Sequence, residues 1–337
     1  MEPSGGRITF LVDPTMWDER NALPRAVYGD LDRVVRTDLY YHYATPVCAQ
    51  RWLDVCDDPA YGHRDLLARV RGILPGLVDA LCADVGSVPS VALSSLGPGD
   101  GSVDELILAG LDARCRVASY CGLDFSFELL RKAVHRIAIG RGAGAGFPIR
   151  AICGDFTDLG AIGQLHDDEA DAQIFALTGF TLGNYGEAEL LEDIGRLMRP
   201  GDYLFLDARL HDFGELPTDM SGFRATNGEA FRSYDLESVR RFVFGPAEVA
   251  TMADVDHVRI DFDTTRSLTT VPDALNLLIY CTGLDTTVRL TGEGVRRERP
   301  DLAVTTLYHL PSLARWLASS TEFESVWWRD AGGVAFF

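Results

Sequence analysis

The hydrophobic positions change period several times along the chain, and each change marks an element. Leu66, Leu67, Val70, Ile73, Leu74, Leu77, Val78 and Leu81 recur at helical spacing, interrupted by Pro75-Gly76, which predicts two helices. Short, nearly unbroken apolar runs follow at residues 91–96, 116–122, 149–153, 172–177 and 203–207. Runs of that length read as strands buried on both faces. Helical stretches separate them. Ser102 with Glu105 forms a capping-box pattern ahead of Val103, Leu106, Ile107 and Leu111. Ser126 precedes Leu129, Leu130, Ala133, Val134 and Ile137, and residues 187–198 carry Leu190, Leu191, Ile194 and Leu197 on one face. Strands alternating with helices predict a parallel, doubly wound α/β sheet. Right-handed crossovers then bring the carboxyl end of every strand to one edge, where ligands bind.

Outside this stretch the alternation fails. Residues 1–60 are polar, rich in aromatics and without a clear period. From 211 to 300 one helix through Val239 and Phe242 and two strands, 255–265 and 274–280, predict an inserted α+β lobe. Residues 301–337 return to the sheet, as a helix over 310–318 and a terminal hairpin of 323–328 with 333–337 turning at Arg329–Gly332. The core itself spans 61–210. A parallel sheet closed by an antiparallel hairpin is the seven-stranded, Rossmann-like arrangement of class I methyltransferases.

Composition narrows the partners. Lys+Arg 31 against Asp+Glu 50 gives a net charge of −19. Nucleic acid and anionic membranes both require a basic patch, so neither is expected. No run of apolar residues is long enough to span a bilayer, and the first residues carry no basic and apolar leader pattern. Seven scattered cysteines without a C-x-x-C motif, and seven histidines without ligand spacing, predict free thiols, no metal and a cytoplasmic location.

The chemistry concentrates where strands end. Gly97, Gly99 and Gly101 punctuate Leu96-Gly97-Pro98-Gly99-Asp100-Gly101 between a strand and a helix. Backbone N–H groups at such a turn are open to a nucleotide-like ligand. The spacing is not that of a dinucleotide fingerprint, and Asp100, Asp104 and Glu105 repel phosphate. S-adenosylmethionine (SAM), an adenosine with a sulfonium and no phosphate, suits this setting. Asp124, with Phe125 beside it, closes the next strand and can accept ribose hydroxyls. Asp155-Phe156 closes the third and can take the adenine amino group and ring. Thr178 opens a loop, Gly179–Gly186, in which Asn184 offers a carbonyl and an amide beside the transferable methyl. A turn asparagine is the competing reading of Asn184. The glycine run 140–146 follows a helix and lies on the opposite edge of the sheet, as a loop.

Several strings, Ser-Leu-Gly-Pro-Gly-Asp at 95–100, Gly-Asp-Phe at 154–156, Thr181–Tyr185 and Ser-Tyr-Asp at 233–235, resemble the SAM-dependent histidine Nα-methyltransferases of ergothioneine synthesis and their fungal amine-methylating relatives. The resemblance implies that Asn184 contacts the amino-acid end of the acceptor. It implies substrate roles for Tyr43, Tyr61, Tyr234 and Thr305, a catalytic role for Asn184 and Tyr43, and one substrate lobe built from the N-terminal segment and the insert. Ser95 stands where the family carries an acid, and Ala303 and Thr305 stand where it carries Glu-x-Ser. These departures point away from histidine as acceptor. The expected activity is methylation of an amine on a small amino-acid-like molecule. The alternatives are a SAM-consuming enzyme that releases methylthioadenosine, and a catalytically silent SAM-binding protein.

Overall fold

The computed structural model describes residues 8–12, 42–85, 90–140, 146–155, 165–214, 216, 222–251, 259–265, 269–282, 288–289, 295–296, 301–321, 323–324, 326, 328–330 and 332–337. Its centre is an eight-stranded sheet. The strands are β1 (Ile8–Val12), β2 (Ser90–Leu96), β3 (Arg116–Asp124), β4 (Ile149–Cys153), β5 (Ala172–Leu177), β6 (Tyr203–Arg209), β12 (Arg329–Asp330) and β13 (Val334–Phe336). Their order is β1-β4-β3-β2-β5-β6-β13-β12. The first six are parallel, and β13 runs antiparallel to both neighbours. Without β1 this is the seven-stranded class I order that the sequence predicts. The added edge strand comes from the N-terminal segment, which the sequence assigns wholly to the substrate lobe.

Strand residues alternate between two apolar layers. Ile174 and Ala176 pack into one, Phe175 and Leu177 into the other. The first layer is covered by α2 (His63–Val85), α3 (Ser102–Asp112) and α4 (Phe127–Gly140), the second by α5 (Glu187–Leu197) and α7 (Leu310–Ser320). The hydrophobic positions of α2 were expected to form two helices. Instead Pro75 sits inside one continuous helix. Leu66, Val70, Leu74, Val78 and Leu81 are all buried along one stripe. Each such side chain contributes about 1.5–3 kcal/mol, which together outweighs the roughly 3 kcal/mol cost of an interior proline.

The second unit is a lobe. An antiparallel sheet of β7 (Arg259–Thr265), β8 (Leu275–Thr282) and β11 (Asp301–Leu307), in the order β11-β8-β7, joins α1 (Pro46–Asp57) and α6 (Glu237–Thr251). The short strands β9 (Val288–Arg289) and β10 (Val295–Arg296) pair with each other. Thr45 caps α1 through its hydroxyl, 3.2 Å from the Cys48 amide, with Pro46 in the first turn. The helix packs on α6, tied by the Ser238 hydroxyl donating to Asp58 at 2.7 Å. Val55, Phe231, Phe242, Phe244, Leu275, Leu277 and Leu307 form the lobe's own apolar cluster. Residues 301–307, read from sequence with the closing hairpin of the core, are therefore the third strand of the lobe. The hairpin itself is shifted: Arg329 and Asp330, expected in its turn, pair with Phe336 and Ala335.

Candidate functional site

The sheet reverses its winding between β2 and β5, and a cleft opens at their carboxyl ends. It is covered from above by the lobe. Gly97, Pro98, Gly99, Asp124, Phe125, Thr178, Asn184, Tyr43, Tyr61, Tyr234 and Thr305 all line it. Asp155 ends β4, two strands from the reversal, and the lining stops short of it. Phe156 lies outside the described residues.

The floor is the glycine turn. Gly97, Gly99 and Gly101 have φ of 76°, 56° and 76°, a region that side chains disfavour. At Gly101 a Cβ would also come within 2.7 Å of the Ala133 Cα, so this glycine lets α3 and α4 meet. The expected capping box does not form. Gly101 occupies the cap position, and the Asp100 carboxylate takes the Ser102 amide at 3.0 Å. The left-handed glycine places Asp100, not Ser102, over the free N–H. The Ser102 hydroxyl instead meets His63 Nε2 at 3.2 Å. Burial works to raise the Asp100 pKa, but the Ser102 bonds and the Arg136 cation at 2.7 Å hold it below the ordinary value.

Asp124 is buried beside this turn. One carboxylate oxygen accepts the Gly99 amide at 3.3 Å and the other the Ser126 amide at 2.7 Å. The group thus ties the glycine turn to the start of α4, and its carboxylate lines the cleft. Beneath the turn Ser95, which replaces an acid in the family pattern, donates to Asp104 at 3.0 Å, and Tyr120 donates to the same carboxylate at 2.7 Å. Burial pushes Asp104 up to about 6 despite both bonds. Asp104, on α3, thus ties β2 to β3 beneath the turn and is not part of the cleft lining.

The far side of the cleft is set by β6. Asp207 is fully buried and accepts the Gly179 and Phe180 amides at 3.0 and 2.7 Å. These bonds hold Phe180 at a φ of 64° and launch the 3-10 turn Thr181–Asn184. Burial raises Asp207 to about 6, against the two amides and nearby Arg209. Gly183 lets this turn seat on β11, since a Cβ there would fall 2.8 Å from the Thr306 carbonyl oxygen. One contact therefore carries Asn184 into the cleft next to Thr305.

Tyr43, Trp52, Tyr61 and Phe242 form an aromatic wall with centroids 5.2–6.0 Å apart. Burial raises the Tyr43 and Tyr61 pKa values, so both phenols remain neutral near pH 7. Trp52, His63, Phe180, Tyr185, Arg209 and Phe242 line the cleft without having been singled out in the sequence. A buried aromatic carries no periodic signal that separates a wall from a core. Arg209 was legible only as a charge at the end of a strand.

These features fit SAM: a backbone without side chains at Gly97 and Gly99, the Asp124 carboxylate beside it, and apolar and aromatic walls. Among the described residues no three His, Cys, Asp or Glu side chains gather as a metal site, and no helix is long and apolar enough to cross a membrane.

Comparison with known proteins gives one family match over part of the chain. Residues 71–212 match the model of the histidine-specific, SAM-dependent methyltransferases. No curated protein matches the chain. Solved structures that resemble it include magnesium protoporphyrin IX methyltransferase from Synechocystis PCC 6803 with bound SAH, at 14% identity, TM-score 0.36, covering 67% of this chain and 92% of that one. The plantazolicin methyltransferase BpumL in complex with SAH is 14% identical with TM-score 0.34, covering 74% and 84%. Over residues 71–212, on a class I sheet, the chain is similar to the SAM-dependent, histidine-specific methyltransferases, and SAM is the cofactor that this match assigns.

Proposed function

We propose that the protein methylates the amine of a small amino-acid-like acceptor other than histidine. One observation carries the reading: Asn184, Tyr61, Tyr234 and Thr305 face Gly99 and Asp124 across a single cleft. SAM, when bound, supplies an activated methyl group. The glycine turn and Asp124 hold the adenosyl end. Asn184 and Tyr43 sit where an acceptor amine would be aligned, and alignment is the main catalytic demand of such a displacement. The neutral Tyr43 phenol and its aromatic neighbours suit a cationic sulfur, at about 0.5–2 kcal/mol per cation–π contact. An α-amino group titrates near ~8, so water or a cleft acceptor can take its proton. Where the family pattern has Glu-x-Ser, this cleft has Ala303 and Thr305, which offer no carboxylate to an imidazole.

The test is incubation with methyl-labelled SAM and each of the common amino acids. Label on the amine nitrogen of an amino acid other than histidine, with one S-adenosylhomocysteine per methyl, supports the reading. Methylthioadenosine without methyl transfer contradicts it.

A further inference from the structure

We propose that Arg209 is the receptor for an anionic group, a carboxylate, on the acceptor, so that the cleft selects zwitterionic amino acids over plain amines. This rests on the amino-acid-like reading above and adds the group that enforces it. Arg209 ends β6 at the edge of the sheet where the lobe meets the core. Its guanidinium lies over the rings of Phe180 at 4.5 Å and of Tyr61 and Tyr234 at 5.3 Å each. Nη1 donates to the Tyr234 hydroxyl at 2.8 Å. Among the described residues no carboxylate stands within ion-pair distance of it. The nearest acid on its own strand, Asp207, is committed to the Gly179 and Phe180 amides.

A cation partly withdrawn from water in this way carries a desolvation cost that an anion can offset. Aromatic faces and phenol oxygens return only part of that cost. Tyr61 does not neutralise it as a phenolate, since burial raises the Tyr61 pKa. Arg209 instead stays charged, held above its ordinary pKa by the Tyr234 and Tyr61 hydroxyls despite burial. A guanidinium has five N–H donors in a fixed fork, and the tyrosines occupy few of them. The remainder match a carboxylate. The side chain lines both the main cleft and a second cavity bounded by Arg69, His211 and Phe213, so a ligand can reach it. The cleft is therefore polarised, with Asp100 and Asp124 at the glycine end and Arg209 at the other. A zwitterion would lie with its carboxylate on Arg209 and its amine toward the methyl.

The test uses protein loaded with S-adenosylhomocysteine. Each of the twenty common amino acids and its carboxamide is titrated by calorimetry into wild type, Arg209→Gln and Arg209→Lys. The expected result is that amino acids which bind do so at least tenfold more tightly than their amides. Arg209→Gln erases the difference, Arg209→Lys keeps its sign, and S-adenosylhomocysteine affinity stays within threefold. Amides binding as well as acids, or a preference that survives in Arg209→Gln, overturns the proposal and leaves the amino-acid reading standing. Loss of S-adenosylhomocysteine affinity in folded Arg209→Gln assigns the cation to the cofactor and also overturns it. Binding of neither series to the loaded wild type overturns both. Should Arg209→Gln fail to fold, the acid-to-amide ratio in wild type and Arg209→Lys still decides.

Discussion

The two sides of the cleft are built on different principles. The floor comes from consecutive pieces of chain: β2, its glycine turn, α3, then β3 and Asp124, all within residues 90–124. The roof gathers Tyr43 and Trp52 near one end of the chain, Tyr234 and Phe242 from the insert, and Thr305 from β11. The floor is positioned by local hydrogen bonds and glycine geometry. The roof is positioned by packing between segments that are distant in sequence. It follows that the floor should fail as an all-or-none part of the core, while the roof should fail gradually and in turnover first.

Substitutions can break or sharpen that contrast. The largest effect belongs to Gly101→Val. A left-handed φ with a side chain costs about 1–3 kcal/mol, and the collision with Ala133 adds about 1–3 kcal/mol of overpacking. Urea unfolding should lose about 2–6 kcal/mol and SAM binding should go with it. A variant of wild-type stability would show that the turn is not fixed as described.

Asn184→Ala should come next, lowering turnover about 10²-fold while calorimetric SAM affinity changes less than threefold, as expected for a misplaced acceptor. An equal loss of both would move Asn184 out of the substrate side. Phe242→Ala should cost about 3 kcal/mol where it packs against Tyr43 and Trp52. Its melting should begin in the lobe, and hydrogen exchange should speed in α1 and α6 before β2 or β3.

The smallest effect concerns pH. Asp104 binds its proton in the folded protein up to about 6, whereas the unfolded chain releases it near 3.8. Between those values the native state holds more protons, so this group's contribution to stability falls as pH rises and levels off above about 6. Asp207 has the same sign. Asp104→Asn, which keeps a polar partner for Tyr120, should flatten part of that slope in urea midpoints taken from pH 4 to 7. An unchanged slope would mean that Asp104 does not titrate there.

The same contrast explains how far the sequence could be read. β4 and β5 match their expected bounds, since an apolar run between helices leaves little choice. Gly97–Gly101 and Asp124 were legible because a strand followed by glycines is a local signal. The intact α2 was not, because burial of Leu74 and Val78 overrides Pro75 and that burial is tertiary. β1 was missed because a five-residue strand at a sheet edge, with Ile8 and Phe10 exposed, carries little periodicity. Tyr61, Tyr234 and Thr305 were expected at the cleft only through family resemblance. Nothing in their local sequence says that three separated segments converge. Arg209 escaped for the opposite reason: its meaning depends on which of the described residues surround it, and only the fold shows that.

The most direct test is a crystal structure of the protein with S-adenosylhomocysteine. The account predicts the ribose hydroxyls on the Asp124 carboxylate, the backbone of Gly97–Gly99 against the ligand, and the sulfur facing Asn184 and Tyr43. A ligand bound elsewhere, or with its ribose away from Asp124, would contradict it.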